Sequence, residues 1–373
     1  MNKPTSSDDA PVAARRSLWQ SRWITSAGRF FAIIVVFSFF AFAVEGGRFY
    51  SPRNLEGIAR QSAVYATAAI GMTLIIIAGG IDLSVGSIIA LAAVVVAWVL
   101  SLTTGGSADG LAKPANLIDS WPSMLPFIAL GAGVVVGTFA GAVNGLLTVA
   151  LRLVPFIVTL GTLLIWRAVA KGIAHEKVVY PPKETWLSDI MQPTFVPFFD
   201  WVRDNQGAKP PTGMGWLLLP LGVWILILAA GAAVILLRYT RFGRHVYAIG
   251  SNESTARLCG VPVERTKVMV YTLGGFFASL AALMQFSYEG GYGFPTTAIG
   301  YELQIIAAVV IGGGSLRGGE GSILGSLIGA VIITILYMGG QQMDWPKWVQ
   351  EIAIGGIIIA AVALDRLRHR AND

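Results

Sequence analysis

Between positions 288 and 304 the sequence gathers side chains suited to gripping a polyhydroxylated solute: Tyr288, Glu289, Tyr292, Phe294, Tyr301, Glu302 and Gln304. Aromatic faces stack on the C–H faces of a sugar-like ring, while carboxylates and amides hydrogen-bond its hydroxyls. The same aromatics equally suit the Tyr/Trp belt at a membrane–water interface. Asn144, Phe156 and Thr159 are further candidates for lining a path, with hydrogen bonding between helices the alternative for the two polar ones. Covalent chemistry finds no machinery. There is no Gly-Lys pair, so a G-x-x-x-x-G-K-[ST] phosphate loop is excluded. His175, His245 and His369 stand too far apart to suggest a metal site, and neither H-E-x-x-H nor G-x-S-x-G occurs. The single cysteine, Cys259, rules out an internal disulfide framework and a Cys-rich metal centre. The expectation is a protein that is not an enzyme and that carries no cofactor of its own.

The elements that must position these residues are membrane helices. Of 373 residues, 54% are hydrophobic and 13% charged, about half the roughly 25% charge of soluble domains. Several apolar runs approach the ~20 residues that cross a hydrocarbon core, and long uniform runs are not the short alternating segments of a β-barrel. Candidate helices fall near 30–44, 61–79, 84–101, 124–150, 154–172, 216–237, 268–286, 302–314, 322–338 and 347–364. The reading is an all-α polytopic membrane protein of about ten transmembrane helices over residues 30–364, with polar tails at 1–29 and 365–373. Arg15, Arg16, Arg22 and Arg29 precede the first apolar run, and no small-residue cleavage site follows it, which predicts a retained helix. With the amino terminus inside and the helices alternating, 16 of the 27 Lys and Arg residues fall in cytoplasmic pieces. Both termini are therefore expected in the cytoplasm, and the net charge of +6 reads as topology rather than nucleic-acid binding.

Two further features concern packing and loops. Gly131, Gly133, Gly137, Gly141 and Gly145 recur at short spacings that put small residues on one helix face and let a neighbour approach closely. The segment 173–215, read as a long extracytoplasmic loop, holds Pro181, Pro182, Pro193, Pro197, Pro210 and Pro211, with Trp186, Trp201, Phe198 and Phe199 suited to the interface or to a short helix lying on it. A smaller Gly/Ser/Pro loop spans 103–122.

A basic, polar island at 238–267 separates two apolar blocks, which places it on the cytoplasmic side. Ser251 or Asn252 is positioned to cap a short helix with Glu253 in its first turn, and Gly260 and Pro262 stop it. Two Gly-rich turns share its side of the membrane. In the first, Gly79 and Gly80 allow a sharp turn and Asp82 can cap a helix beginning at Leu83; a role for Asp82 and Ser84 in an inner gate or partner contact is the alternative. The second, Gly312, Gly313 and Gly314 with Arg317, reads as a tight re-entrant turn rather than an anion cradle. Carboxylates are scarce within the apolar cores, and Arg167 and Lys171 sit where they can snorkel. That scarcity disfavours an ion-coupled carrier and favours a chain driven by a partner.

AGGIDLSVGS (78–87), GRHVYAIGSNESTARLCGV (243–261) and GYELQIIAAVVIGGGSLRGGEGSILGSLIGA (300–330) together resemble the permease subunits of ribose-type ABC sugar importers, binding-protein-dependent systems of the bacterial inner membrane. The likeness runs in matching order from about residue 55 to 365. It implies ten helices, a homodimer with a second permease copy, a cytoplasmic ATPase with two nucleotide-binding modules that carries the ATP and Mg, and a periplasmic or lipid-anchored sugar-binding protein. The family's ATPase-docking segment falls on Gly243, Arg244, Ala248, Gly250, Asn252, Glu253, Ala256, Arg257 and Leu258. Nucleosides, branched-chain amino acids and autoinducer-like furanoses remain alternative cargoes. The loop 173–215 is longer than expected for this family, and Cys259 has no evident role.

Overall fold

A computed structural model describes residues 22–102, 124–182, 184–191 and 219–370. Most of the amino-terminal tail, the 103–122 loop and the proline-rich part of 173–215 lie outside them. The described residues form helices α1 (Arg22–Ala43), α2 (Pro52–Ile77), α3 (Val85–Leu100), α4 (Leu125–Leu151), α5 (Pro155–Ile173), α6 (Trp186–Asp189), α7 (Leu221–Tyr239), α8 (Arg241–Ser251), α9 (Glu253–Leu258), α10 (Val263–Tyr288), α11 (Tyr301–Ile311), α12 (Ile323–Gln342) and α13 (Lys347–Arg370). An isolated bridge between Val179 and Gly293 accompanies them. Every apolar stretch predicted from the sequence forms a helix within its described residues. Among these, six helices, α2, α4, α5, α7, α10 and α12, are long and apolar enough to cross a membrane; α3, α11 and the apolar part of α1 are shorter.

Several boundaries move, each for a local reason. Helix α2 begins at Pro52 rather than near 61, because Ser51 caps it by accepting from the Asn54 N–H and Pro52 occupies the first turn, where its missing N–H costs nothing. Its first turns are polar, so hydropathy alone reads them as loop. Helix α10 likewise starts at Val263, five residues before its apolar run, and α1 reaches back to Arg22.

Helix α2 runs through the middle of the bundle, with 94% of its membrane-length window buried. Helix α3 is nearly as enclosed. Lipid tails are as apolar as leucine, so helices here associate through close packing rather than hydrophobic transfer. The closest packing is the crossing of α4 and α10. A Cβ on Gly137 would lie 2.6 Å from the Ser279 Cβ, one on Gly141 would strike the Tyr271 carbonyl and sit 2.8 Å from the Gly275 Cα, and one on Gly145 would sit 2.9 Å from the Val268 Cα. The glycine periodicity is a packing stripe, as the spacing predicted. Gly131, on the same helix, has nothing within 4 Å of the corresponding position. Gly141→Ala is therefore expected to destabilise the protein by about 1–3 kcal/mol through overpacking, while Gly131→Ala leaves it unchanged or stabilises it by up to ~1 kcal/mol through helix propensity. Thermal unfolding of the two variants in detergent measures the difference.

Candidate functional site

Polar groups concentrate at two opposite ends of the bundle. At the first end, three glycine motifs distant in sequence meet. Helix α8 starts on Thr240, whose hydroxyl accepts from the Gly243 N–H at 3.2 Å, and Gly243 lies directly against the Leu237 carbonyl. Val246 and Ile249 bury the inner face of α8, and Tyr247 donates to the Gly321 carbonyl at 2.9 Å. Gly250 then reaches the C-terminus of α2: a Cβ there would collide with the Ile77 carbonyl oxygen and lie 2.5 Å from the Gly319 nitrogen. That nitrogen donates to the same Ile77 oxygen at 2.9 Å. Gly318, at φ +87°, would place a Cβ 2.8 Å from the Gly250 carbonyl and 2.9 Å from the Gly79 Cα. Gly312 packs on the Gly325 backbone and Gly314 on Val309, folding α11 back onto α12 in the tight turn expected.

The turn between α2 and α3 is tied from inside. The buried Asp82 carboxylate accepts from the Ser84 N–H at 2.7 Å and the Ser84 hydroxyl at 2.6 Å. Asn144 of α4 donates to that hydroxyl at 2.7 Å, and Thr159 of α5 donates to the Ile81 carbonyl at 3.2 Å. Because α3 begins at Val85, Asp82 closes a turn on Ser84 instead of capping a helix at Leu83. Asn144 and Thr159 thus join helices at this end, and Phe156 nearby is 44% exposed. A cavity of about 300 Å³ opens here, lined among others by Gly79, Gly80, Asn252, Lys267, Tyr271 and Arg317.

The surface of this end is the helix pair α8–α9. The short helix expected after Asn252 is α9, capped by the Asn252 side chain accepting from the Thr255 N–H at 2.8 Å, and a helix the sequence reading did not foresee, α8, precedes it. Gly243 and Ala256 are buried and Ala248 and Gly250 partly so, packing inward. Arg244, Asn252, Glu253 and Arg257 are exposed, and Leu258 is 89% exposed. Arg257 is held between Glu264 and Glu253, and Lys267 reaches Glu253 at 2.7 Å. The hydrogen bond that Arg257 donates to Glu264 raises its guanidinium above the ordinary value.

At the opposite end, Glu289 follows the last turn of α10. Its Oε1 accepts from Gln285 at 2.9 Å and from Thr297 at 2.5 Å. Burial pushes the Glu289 carboxyl up, and those two hydrogen bonds oppose the shift. Tyr301 stacks on Tyr65 with ring centroids 4.6 Å apart and accepts from Gln61 at 3.4 Å. The Arg60 guanidinium lies over the Tyr288 ring at 5.4 Å. Tyr292 sits farther out, against Tyr180 and Phe294. Glu302 and the Ala298 carbonyl both face Gly86, where a Cβ would lie 2.5 Å from each. Arg167 does not snorkel: it donates to the Pro295 carbonyl at 3.1 Å and the Thr297 carbonyl at 2.5 Å. The segment 184–191 seats here as well, with Ser287 donating to the Ser188 carbonyl and accepting from the Met191 N–H, both at 2.7 Å.

The predicted residues therefore divide. Tyr288 and Glu289 stand at the end opposite Asn144 and Thr159, whereas Glu302 faces Gly86, two residues past the Ser84 that Asn144 bonds, and lies with Gln304 between the two ends. Arg60, Gln61, Tyr65, Gln285 and Thr297 join Tyr288 and Glu289 and went unnoticed in the sequence. Their signal was polar side chains at helical spacing, Gln61 with Tyr65 and Gln285 with Glu289, inside otherwise apolar helices. Among the described residues, no group of three or more His, Cys, Asp or Glu could hold a metal ion.

A bundle of membrane-length helices, with one end knotted by glycine turns beneath an exposed helix pair and a second polar cluster at the other, is the layout of a transport permease subunit. The chain belongs to the family described as "Branched-chain amino acid transport system / permease component", whose model matches residues 54–362. It is 32% identical to the ribose import permease protein of Escherichia coli strain K12, over 96% of this chain and 98% of that one. It is 31% identical to the ribose import permease protein of Haemophilus influenzae over 92% and 94% of the two chains, and 34% identical to the xylose transport system permease protein of E. coli K12 over 91% of each. No solved structure matches it.

The glycine contact at the first end yields a direct test. Gly250→Ala is expected to cost about 1–3 kcal/mol of stability, since the Ile77 main chain cannot yield as a side-chain tip would. Ser251→Ala, on the exposed neighbour, is expected to stay within about 0.5 kcal/mol of the parent. Unfolding midpoints in detergent compare the two.

Proposed function

We propose that the chain is the membrane permease of an ATP-driven sugar importer in a bacterial inner membrane, with pentose-like monosaccharides as cargo. The observation that carries this is the near full-length similarity to both ribose and xylose permeases. The family description names branched-chain amino acids, but the cluster of aromatic rings, carboxylates and amides around Glu289 suits a polyol better than an aliphatic side chain. In this reading about ten helices cross the membrane, the six membrane-length ones together with α1, α3, α11 and α13, both termini and the glycine-knotted end face the cytoplasm, and two copies of the permease enclose the path. Solute arrives from a binding protein at the Glu289 end.

Hydrolysis takes place on a separate ATPase with two nucleotide-binding modules, which carries the ATP and Mg and grips α8–α9. Leu258 supports that assignment: a leucine this exposed on a short, capped, charge-rimmed helix has the anatomy of an interface anchor, an apolar centre within a polar rim. Arg257, Glu253 and Arg244 form the rim. Gly243 and Gly250 belong beneath the surface, where the backbone contacts of Gly250 pass a displacement of α8 to both glycine turns. Coupling requires that the ATPase bind the two conformations of the bundle with different affinity.

Leu258→Asp is expected to weaken co-purification of the partner ATPase by about tenfold or more, and Arg257→Glu to weaken it further in combination. Both variants should keep the parental unfolding midpoint and lose uptake of D-ribose and D-xylose in proteoliposomes containing ATPase and binding protein. ATPase association at parental strength in both would remove α8–α9 as the docking element. Uptake of either pentose by the purified chain alone under an ion gradient would remove the ATP-driven reading.

A further inference from the structure

We propose that the polar residues running inward from the Glu289 end of the bundle hold a binding site for the hydroxyl groups of a neutral polyhydroxylated solute, formed by Gln285, Glu289, Glu302 and Gln304 with the Tyr288 and Tyr301 rings. It rests on the sugar-import reading and adds where along this chain the solute is held.

The site is defined by what its atoms lack. Gln285 Oε1, Glu289 Oε2, Glu302 Oε2 and Gln304 Oε1 are buried and accept no hydrogen bond. Gln285 itself is only 3% exposed. Folded proteins leave few buried polar atoms unpaired, and here four fall within residues 285–304. The other polar atoms of two of these groups are engaged, with Gln285 Nε2 and Thr297 Oγ1 both on Glu289 Oε1, so the free oxygens are not released by local rearrangement. All four are acceptors, and what completes them must bring hydrogen-bond donors.

Charge decides which donor. Two guanidinium groups share this region with the two carboxylates: Arg60 lies over the Tyr288 ring and Arg167 stands within electrostatic range of Glu302. The cluster is close to neutral as it stands, so it does not call for a metal ion or an organic cation. An amino acid would bring a carboxylate, which has no hydrogen to donate to these four oxygens. Hydroxyl groups donate to the four oxygens and can accept in return from Arg60 Nε, which is likewise buried and unpaired. The Tyr288 and Tyr301 rings offer apolar faces beside them.

The test is equilibrium binding of radiolabelled D-ribose and D-xylose to the detergent-purified permease–ATPase complex, without binding protein. Glu289→Gln and Gln304→Leu are each expected to weaken binding about tenfold or more, since each removes an acceptor that the hydroxyls need. Retained co-purification of the ATPase shows that the variants are folded. As a readout that tolerates a weakly folding variant, Thr297→Cys is labelled with a maleimide in the complex, and either pentose is expected to slow the labelling. Parental affinity in both substitutions, or a wild-type complex that binds neither pentose while proteoliposomes with binding protein import them, overturns the site and leaves the sugar reading standing. Protection of the introduced thiol by sodium or potassium alone overturns it in favour of a cation. Failure of the complete system to import either pentose overturns the sugar reading, and the site with it.

Discussion

Main chain meets main chain at Gly250, and much of the structure depends on that contact. The C-terminal carbonyls of a helix have no partner within it, and in a membrane they must find one in the protein. The Ile77 carbonyl of α2 finds the Gly319 N–H, which reaches it because Gly318 and Gly319 adopt positive φ and because Gly250 leaves no Cβ between them. The same junction is braced by Thr73 bonded to Ser326 at 2.6 Å and by Tyr247 on the Gly321 carbonyl. Side chains that meet through rotatable bonds absorb small displacements. Backbones in van der Waals contact do not, so α8 and the two turns behave as one piece.

From that junction the bundle carries two long connections to its other end. Helices α2 and α10 both begin or end at the glycine knot and both finish in the polar cluster around Glu289. Helix α5 makes the same journey along the flank. It is bound through Thr159 to the Ile81 carbonyl and through Arg167 to the Pro295 and Thr297 carbonyls, while only 22% of its membrane-length window is buried. The two attachments stand about two turns apart, and the buried Val158, Thr162 and Ala170 pack the same side of the helix against the bundle.

Much of this was legible in the sequence. Long apolar runs located the helices, the glycine spacing marked the close-packing face of α4, and Asn252 with Glu253 located the capped helix α9. What composition hid has physical causes. Ser51 and Pro52 start α2 before its apolar part, because a cap and a preset φ define a helix end independently of hydropathy. Arg167 looked like a snorkelling residue because the sequence does not show that the 295–297 carbonyls lack other donors beside it. Asn144 and Glu289 both read as polar residues near a path, yet they stand at opposite ends, since only tertiary packing decides which end of a helix a polar residue serves. The meeting of Gly79, Gly250 and Gly318 was unreadable for the same reason: each is an ordinary turn or helix glycine until the other two are placed against it.

The burial of α2 bears on how the protein is made. It has the lowest mean hydropathy of the six membrane-length helices and the least surface left over for lipid. Asn54, Glu56, Arg60 and Gln61 lie in its first turns. Polar groups of this kind are costly in hydrocarbon until partners satisfy them, and the partners arrive late in synthesis: Tyr288 for Arg60, Tyr301 for Gln61, Gln342 for Asn54 at 2.5 Å. Helix α2 leaves the ribosome ahead of these partners and is therefore among the last to be properly solvated. Until α10, α11 and α12 have been translated it needs shelter from the bilayer, which makes the insertion machinery, rather than lipid, the environment in which the centre of this bundle is assembled.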